Sequence, residues 1–276
     1  MVTRLPIQIA YRWACRLSDL QYFLSFRDQR AVKNNLQAIL KTNEDLSPQA
    51  RAVFRNFGKY LVEFFRMANT DMDFVKRQVK VKGLEKIDQV LAKGKGAIFL
   101  TGHLGNWELG GVILSLLGYP SVAIALPHKE RPVNNLFNEQ REARGMTIVQ
   151  TSAASRQCLS ILKANKIVAV VADRCFGASA LTFDFFGRPT AFPKGPAIFS
   201  LKTGAAILPT FLFRQDDDRF SLEIGDPIYP PVTDDGRNPE EKVFDIMKQY
   251  VAIIADKVRT YPTQWLIDRK STRLNS

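Results

Sequence analysis

The rhythm of hydrophobic and polar positions changes near residue 78. Before it the apolar spacing is three and four. Ile9, Trp13, Leu17, Leu20 and Leu24 fall within about 80° of a helical wheel, with Arg12, Arg16 and Asp19 beside or behind that stripe. Arginine next to a Trp/Leu face suits a lipid headgroup boundary, where its charge can reach phosphates. The alternative is an amphipathic helix docked on the protein's own core. A second helix is expected from Ser47-Pro48, an N-cap followed by a first-turn proline. Its Phe54, Phe57, Leu61, Phe64 and Phe65 form one apolar face, a pattern typical of core packing.

After residue 78 short apolar runs alternate with helical patterns. Strands are expected at 79–81, 97–100, 122–126, 147–149, 167–172, 207–213 and 220–224. Helices are expected at 84–93, 107–117, 134–144, 155–164, 197–203 and 240–259. This alternation predicts an α/β fold, a mostly parallel central sheet flanked by helices, with an N-terminal helical extension. The expected division is 1–75 for the extension, 76–268 for the α/β domain and 269–276 for a disordered polar tail. The longest uncharged stretch, Leu109 to Pro127, is broken by Gly110, Gly111, Gly118 and Pro120. It reads as a helix, a turn and a strand rather than a membrane span. With no secretory signal in view, any membrane contact is expected to be peripheral or weakly anchored.

Composition sharpens this picture at two points. The 39 Lys+Arg against 27 Asp+Glu give a net charge of +12, spread along the chain without a polybasic tail. So large an excess implies an anionic partner: nucleic acid, an anionic membrane surface or an acidic carrier protein. The three cysteines, Cys15, Cys158 and Cys175, are widely spaced and fit neither a disulfide framework nor a zinc pattern. They read as buried or reduced thiols, which suits a cytoplasmic environment.

One segment carries chemistry. Phe99-Leu100-Thr101-Gly102-His103-Leu104-Gly105-Asn106-Trp107-Glu108 places a histidine at the carboxyl end of a buried strand, just before a helix. Open α/β sheets bind their ligands there. Five residues separate His103 from Glu108, which on a continuous helix would turn the side chains about 140° apart. If His103 instead lies in the loop and Asn106 caps the helix, Glu108 sits in the first turn and the chain can fold His103 back over it. The carboxylate would then fix the tautomer and leave the other nitrogen free as a base. Such a pair without a protein nucleophile suits direct attack of an acceptor hydroxyl on an activated acyl group. Other chemistries lack their motifs. There is no HExxH, no GxSxG elbow, no Walker A and no third glycine after Gly94-Lys95-Gly96.

His103-Leu-Gly-Asn-Trp-Glu108 resembles the HX4(D/E) motif of glycerolipid acyltransferases, in the HxGNWE form of the lipid A biosynthesis acyltransferases. The resemblance runs over roughly residues 30 to 268. It takes in the Asp173 loop, Phe185-Phe186-Gly187-Arg188-Pro189, Phe192 to Ala197, Lys202-Thr203-Gly204-Ala205 and Tyr261-Pro262-Thr263-Gln264-Trp265.

That family implies catalytic His103 and Glu108, an acyl-carrier-protein thioester as donor, and a hydroxyl of a lipid A precursor or similar membrane glycolipid as acceptor. A lysophospholipid or a mannosylated inositol lipid is the alternative acceptor. By position, Gly105 and Asn106, Pro127, Lys129 and Arg131, and Asp173 and Arg174 correspond to the substrate-binding wall. Lys129 and Arg131 are open to a phosphate contact or to plain solvation. Gly195, in Lys194-Gly195-Pro196, could present a backbone N–H to the oxyanion, or simply start a helix. The resemblance further implies no metal and no tightly bound cofactor. The expected partners are the acyl carrier protein, the acceptor lipid and an anionic membrane surface rather than nucleic acid. The expected location is the cytoplasmic face of the bacterial inner membrane.

Overall fold

A computed structural model describes residues 5–125, 131–142, 147–150, 154–175, 179–231 and 236–266. The expected tail at 269–276 lies outside them. The helical N-terminal part comprises α1 (Ile7–Leu24), α2 (Phe26–Leu40), α3 (Ser47–Arg66), a 3₁₀ turn at Met67–Asn69 and α4 (Met72–Gln78). In chain order there follow β1 (Val79–Lys82), α5 (Glu85–Leu91), β2 (Ala97–Thr101), α6 (Trp107–Leu116), β3 (Ser121–Ala125), α7 (Arg131–Glu142), β4 (Thr147–Gln150), α8 (Ala154–Lys163) and β5 (Ile167–Val171). The chain continues through β6 (Ala180–Asp184), β7 (Pro189–Pro193), α9 (Gly195–Thr203), β8 (Ala206–Arg214), β9 (Phe220–Ile224), α10 (Pro239–Thr260) and a 3₁₀ turn at Pro262–Gln264.

Seven strands form one sheet in the order β1-β9-β8-β2-β5-β3-β4. β4, β3, β5, β2 and β8 run parallel, whereas β9 is antiparallel to β8 and carries β1 parallel to itself. The strands expected from apolar runs are all present, and the sheet is mostly parallel as expected. Alternation of side chains splits the core in two. Phe99, Ala123, Ala169 and Leu212 face α5 and α6, and Leu100, Val170, Phe211 and Phe213 face α9 and α10. All nine residues of β8 are buried, as a strand covered on both faces requires.

Four elements were not expected from the sequence. α2 packs Val32, Leu36 and Ile39, spaced four and three, inward, α4 is a seven-residue helix, and β6 and β7 pair as a separate antiparallel hairpin. The hairpin turn holds Phe186 at φ 59° and Gly187 at φ 77°, with Phe185 N donating to Arg188 O at 2.9 Å. A bulky residue at positive φ replaces the Asn or Asp that usually announces such a turn, which hides it from composition. The start of α3 also differs. Ser47 is its first residue and itself donates to Asp45, rather than acting as the cap.

α1 packs along α3, and its predicted apolar stripe turns outward. Ala10, Tyr11, Ser18 and Tyr22 face inward, while Trp13, Leu17, Leu20 and Leu24 are each more than half exposed. The reading of this stripe as a face docked on the protein's own core is therefore corrected. Close approach of the helices requires Gly58, where a Cβ would collide with Ser18 Oγ. No helix among the described residues is long and apolar enough to cross a membrane.

The α1–α3 contact is locked by charge. Asp19 accepts two forked pairs, from Arg51 at 2.7 and 2.5 Å and from Arg55 at 2.7 and 2.7 Å. These hydrogen bonds hold its carboxyl well below the usual carboxylate range. Asp19 therefore adds stability that is fully present above its unfolded-state pKa of about 4 and is lost as the pH falls below it. Asp19→Asn is expected to lower the melting temperature by roughly 2–4 °C at pH 7, the equivalent of about 1 kcal/mol. The difference from wild type should shrink toward pH 3 in scanning calorimetry. A pH-independent difference would show that the carboxylate charge is not what holds α1.

Candidate functional site

The site grows from the turn between β2 and α6. β2 ends at Thr101, and Asn106 caps α6, its Oδ1 accepting from Leu109 N at 3.0 Å. Two glycines let the turn close. A Cβ on Gly102 would stand 3.1 Å from Asp173 Oδ2, and one on Gly105, at φ 66°, would collide with the Leu212 carbonyl. The turn is pinned from outside by Gly105 N to Gln264 O at 2.9 Å, Asn106 N to Leu212 O at 2.9 Å and Leu266 N to His103 O at 2.7 Å.

His103 therefore lies in the loop and Glu108 in the first turn of α6, as the spacing requires. The partner of the imidazole is a different residue from the one expected. His103 Nδ1 lies 2.7 Å from Oδ1 of Asp173, which follows β5. Glu108 is turned onto α7, where Arg141 Nε and Nη2 donate to its two oxygens at 2.8 and 2.5 Å. The expectation that Glu108 orients His103 is corrected accordingly. β2 and β5 are adjacent and parallel, so their carboxyl ends bring the loop of one against the loop of the other. A residue five positions along the chain must instead start a helix that leads away.

Asp173 is buried, and its carboxylate takes donors from two further groups. His103 N donates to Oδ2 at 2.8 Å, and Trp265 Nε1 at 3.1 Å. Burial alone would push this carboxyl up. The ring and backbone N–H of His103 beside it, together with the Arg174 guanidinium, outweigh burial and hold the carboxyl below its ordinary range. An ionised carboxylate accepting from Nδ1–H fixes the imidazole tautomer and leaves Nε2 able to take a proton. Trp107 packs edge-on to the ring at 4.9 Å and Tyr60 stacks on Trp107 at 4.8 Å, which limits rotation of the imidazole.

His103 opens onto a cavity of about 670 Å³. Its lining comes from both faces of the sheet, with Gly110, Gly111, Ser121, Ala123 and Ala169 on the α6 side and Pro193, Gly195, Ile198 and Phe199 on the α9 side. The small residues on the α6 side leave room that Leu or Ile would fill. Among the described residues the walls are mainly apolar, with Arg174 and the Glu108–Arg141 pair as their charged groups beside His103. A hydroxyl brought beside Nε2 could be deprotonated while a long apolar group occupies the cavity.

The family model of the bacterial lipid A biosynthesis acyltransferases matches residues 1–270. The chain belongs to this family. It is an acyltransferase. Among curated relatives, the phosphatidylinositol mannoside acyltransferase of Mycobacterium tuberculosis is 26% identical over 264 residues, covering 92% of this chain and 82% of that one. The lipid A biosynthesis acyltransferase of Haemophilus influenzae is 24% identical over 193 residues, covering 69% and 58%. The lipid A biosynthesis palmitoleoyltransferase of Escherichia coli is 26% identical over 223 residues, covering 76% and 71%.

In this acyltransferase the remaining expected site residues separate into groups. Arg174 and Gly195 line the cavity, Gly195 as the first residue of α9. Arg174 also donates through Nη2 to Leu266 O at 3.0 Å. Three positions expected on the substrate wall are corrected. Gly105 and Asn106 are backbone and capping elements behind the loop, and Asp173 is committed to His103 and Trp265. Pro127 and Lys129 lie outside the described residues, as does the side chain of Arg131. Arg141 was missed because only the tertiary fold brings α7 within reach of Glu108. Its position in a predicted helix carried no signal beyond an arginine on one face.

Glu108 and Arg141 form a nearly dry ion pair, with side chains 6% and 11% exposed. Breaking such a pair leaves a buried charge uncompensated, whereas replacing both partners is close to neutral. Glu108→Gln is therefore expected to lower the unfolding free energy by about 3–5 kcal/mol in urea titrations, and Glu108→Leu with Arg141→Met to recover most of it. A double variant no more stable than the single one would contradict this account of the pair.

Proposed function

We propose that the enzyme transfers a fatty acyl group from an acyl-carrier-protein thioester to a hydroxyl of a membrane glycolipid, with His103 as general base and Asp173 as its orienting carboxylate. The observation that carries this reading is the 2.7 Å contact between Nδ1 of His103, which lines a largely apolar cavity, and the buried carboxylate of Asp173. His103 Nε2 takes the proton as the acceptor oxygen attacks the thioester carbonyl carbon. The tetrahedral intermediate collapses by breaking the C–S bond, and the imidazolium returns the proton to the departing thiolate. The products are an ester and a free thiol, with no covalent acyl-enzyme. The first backbone N–H of α9, at Gly195, is the proposed oxyanion donor.

The acceptor in this reading is a lipid A precursor or similar glycolipid, the substrate class named by the family. A mannosylated inositol lipid is the second reading, and it draws support from the Mycobacterium tuberculosis relative, which matches 92% of the chain. The net charge of +12 suits both an acidic carrier and an anionic lipid surface. The outward stripe of α1, with the Arg16 guanidinium 6.0 Å from the Trp13 ring, is the proposed contact with the cytoplasmic face of the inner membrane. It makes the enzyme peripheral.

Purified protein incubated with acyl-carrier and coenzyme A thioesters and each glycolipid class is expected to form ester from the carrier thioester. His103→Ala should lose this activity while remaining folded. Leu17→Glu with Leu20→Glu should retain turnover on detergent-dispersed acceptor and lose it on anionic vesicles. Undiminished transfer by His103→Ala would overturn the mechanism, and undiminished vesicle activity in the double variant would overturn the α1 contact.

A further inference from the structure

Glu63, in the last turn of α3, is buried and is not among the residues lining the cavity. Three donors converge on its carboxylate. Tyr11 Oη of α1 donates to Oε1 at 2.5 Å, Asn106 Nδ2 donates to Oε2 at 2.6 Å, and the Arg214 guanidinium at the end of β8 pairs with Oε1. Arg214 also donates to Tyr11 Oη at 3.0 Å, which closes the network on itself. Nothing in this network touches His103.

Its link to the chemistry is Asn106. Nδ2 is held by Glu63, Oδ1 caps Leu109 N, and the backbone N–H is bonded to Leu212 O. Asn106 thereby closes the short turn in which His103 sits, and His103 must hold Nδ1 against Asp173 while presenting Nε2 to the cavity. Stability alone gives little reason for the arrangement. A buried ion pair is generally no better for folding than an apolar pair of the same volume. It does fix one geometry, because an acceptor-only carboxylate satisfies three donors from three separate elements at once.

We infer that Glu63 is a positioning residue for acyl transfer: through Asn106 it sets the placement of the His103 turn on the end of β2. The kinetic part of this inference rests on the function proposed above. Glutamine at 63 offers one acceptor oxygen where three donors point, so the side chain of Asn106 loses its fixed orientation. The discriminating variant is Glu63→Leu with Arg214→Met, which removes both buried charges together and is expected to remain folded.

The test combines kinetics with proton NMR. The chain has only two histidines, so the downfield signal of the His103 Nδ1–H proton can be assigned by its loss in Asp173→Asn. In Glu63→Gln and in the double variant, kcat is expected to fall about 10- to 100-fold with KM little changed, as for a misplacement of about 1 Å. The Nδ1–H signal should shift or broaden. Adding Asn106→Ala to Glu63→Gln should lose no more than Asn106→Ala alone. Wild-type kcat in folded variants, losses that multiply, or an unshifted Nδ1–H signal would overturn the inference. The NMR arm needs no turnover, so it judges the role of Glu63 even if the acyl donor or acceptor has been misassigned.

Discussion

The site depends on one ionised carboxylate kept out of water. A buried carboxylate is tolerated only when donors surround it, and Asp173 is surrounded by the backbone and ring of His103 and the indole of Trp265. That requirement shapes what lies around it. A side chain at Gly102 would crowd the carboxylate, standing 3.1 Å from Asp173 Oδ2. The segment after α10 must cross the β2–α6 turn so that Trp265 reaches Asp173 and Leu266 bonds to His103 O. The parallel pairing of β2 with β5 brings the two loops together in the first place.

Much of the frame was legible in the sequence, and the reason is physical. Buried parallel strands must be apolar throughout, so Ala97–Thr101 and Ile167–Val171 stand out as runs, with a glycine-bearing turn placing His103 at a strand end. Asn106 as cap and Glu108 in the first turn of α6 followed from local rules that the fold did not override. The partner of His103 did not follow. Glu108 was the carboxylate nearest in sequence, whereas Asp173 is nearest in space, and only the sheet order joins β2 to β5. The same holds for Arg141 on Glu108 and Glu63 on Asn106, contacts made between elements distant in sequence. Spacing reports local geometry well and says nothing of which loops the sheet will gather.

The protein has two distinct ways of using charge. Exposed basic residues beside the apolar face of α1 sit where water and salt screen them, and they suit a weak, reversible hold on an anionic surface. The buried pairs Glu108–Arg141 and Glu63–Arg214 are shielded from screening and act by geometry, each joining elements distant in sequence around the same turn. α1 takes part in both. Its outer face carries Trp13 and Leu17, and its inner face carries Tyr11, a donor to the carboxylate that holds Asn106.

The central claim is that Asp173, and not Glu108, is the carboxylate that sets the imidazole of His103. The most direct measurement is kcat for ester formation by folded Asp173→Asn, with melting temperature and donor KM recorded beside it. An amide in place of the carboxylate can hold the ring in the wrong tautomer, so kcat is expected to fall by about 10³–10⁴ with KM little changed. A folded Asp173→Asn enzyme that turns over within about tenfold of wild type would contradict the account, because the neutral imidazole would not need this carboxylate to act as base.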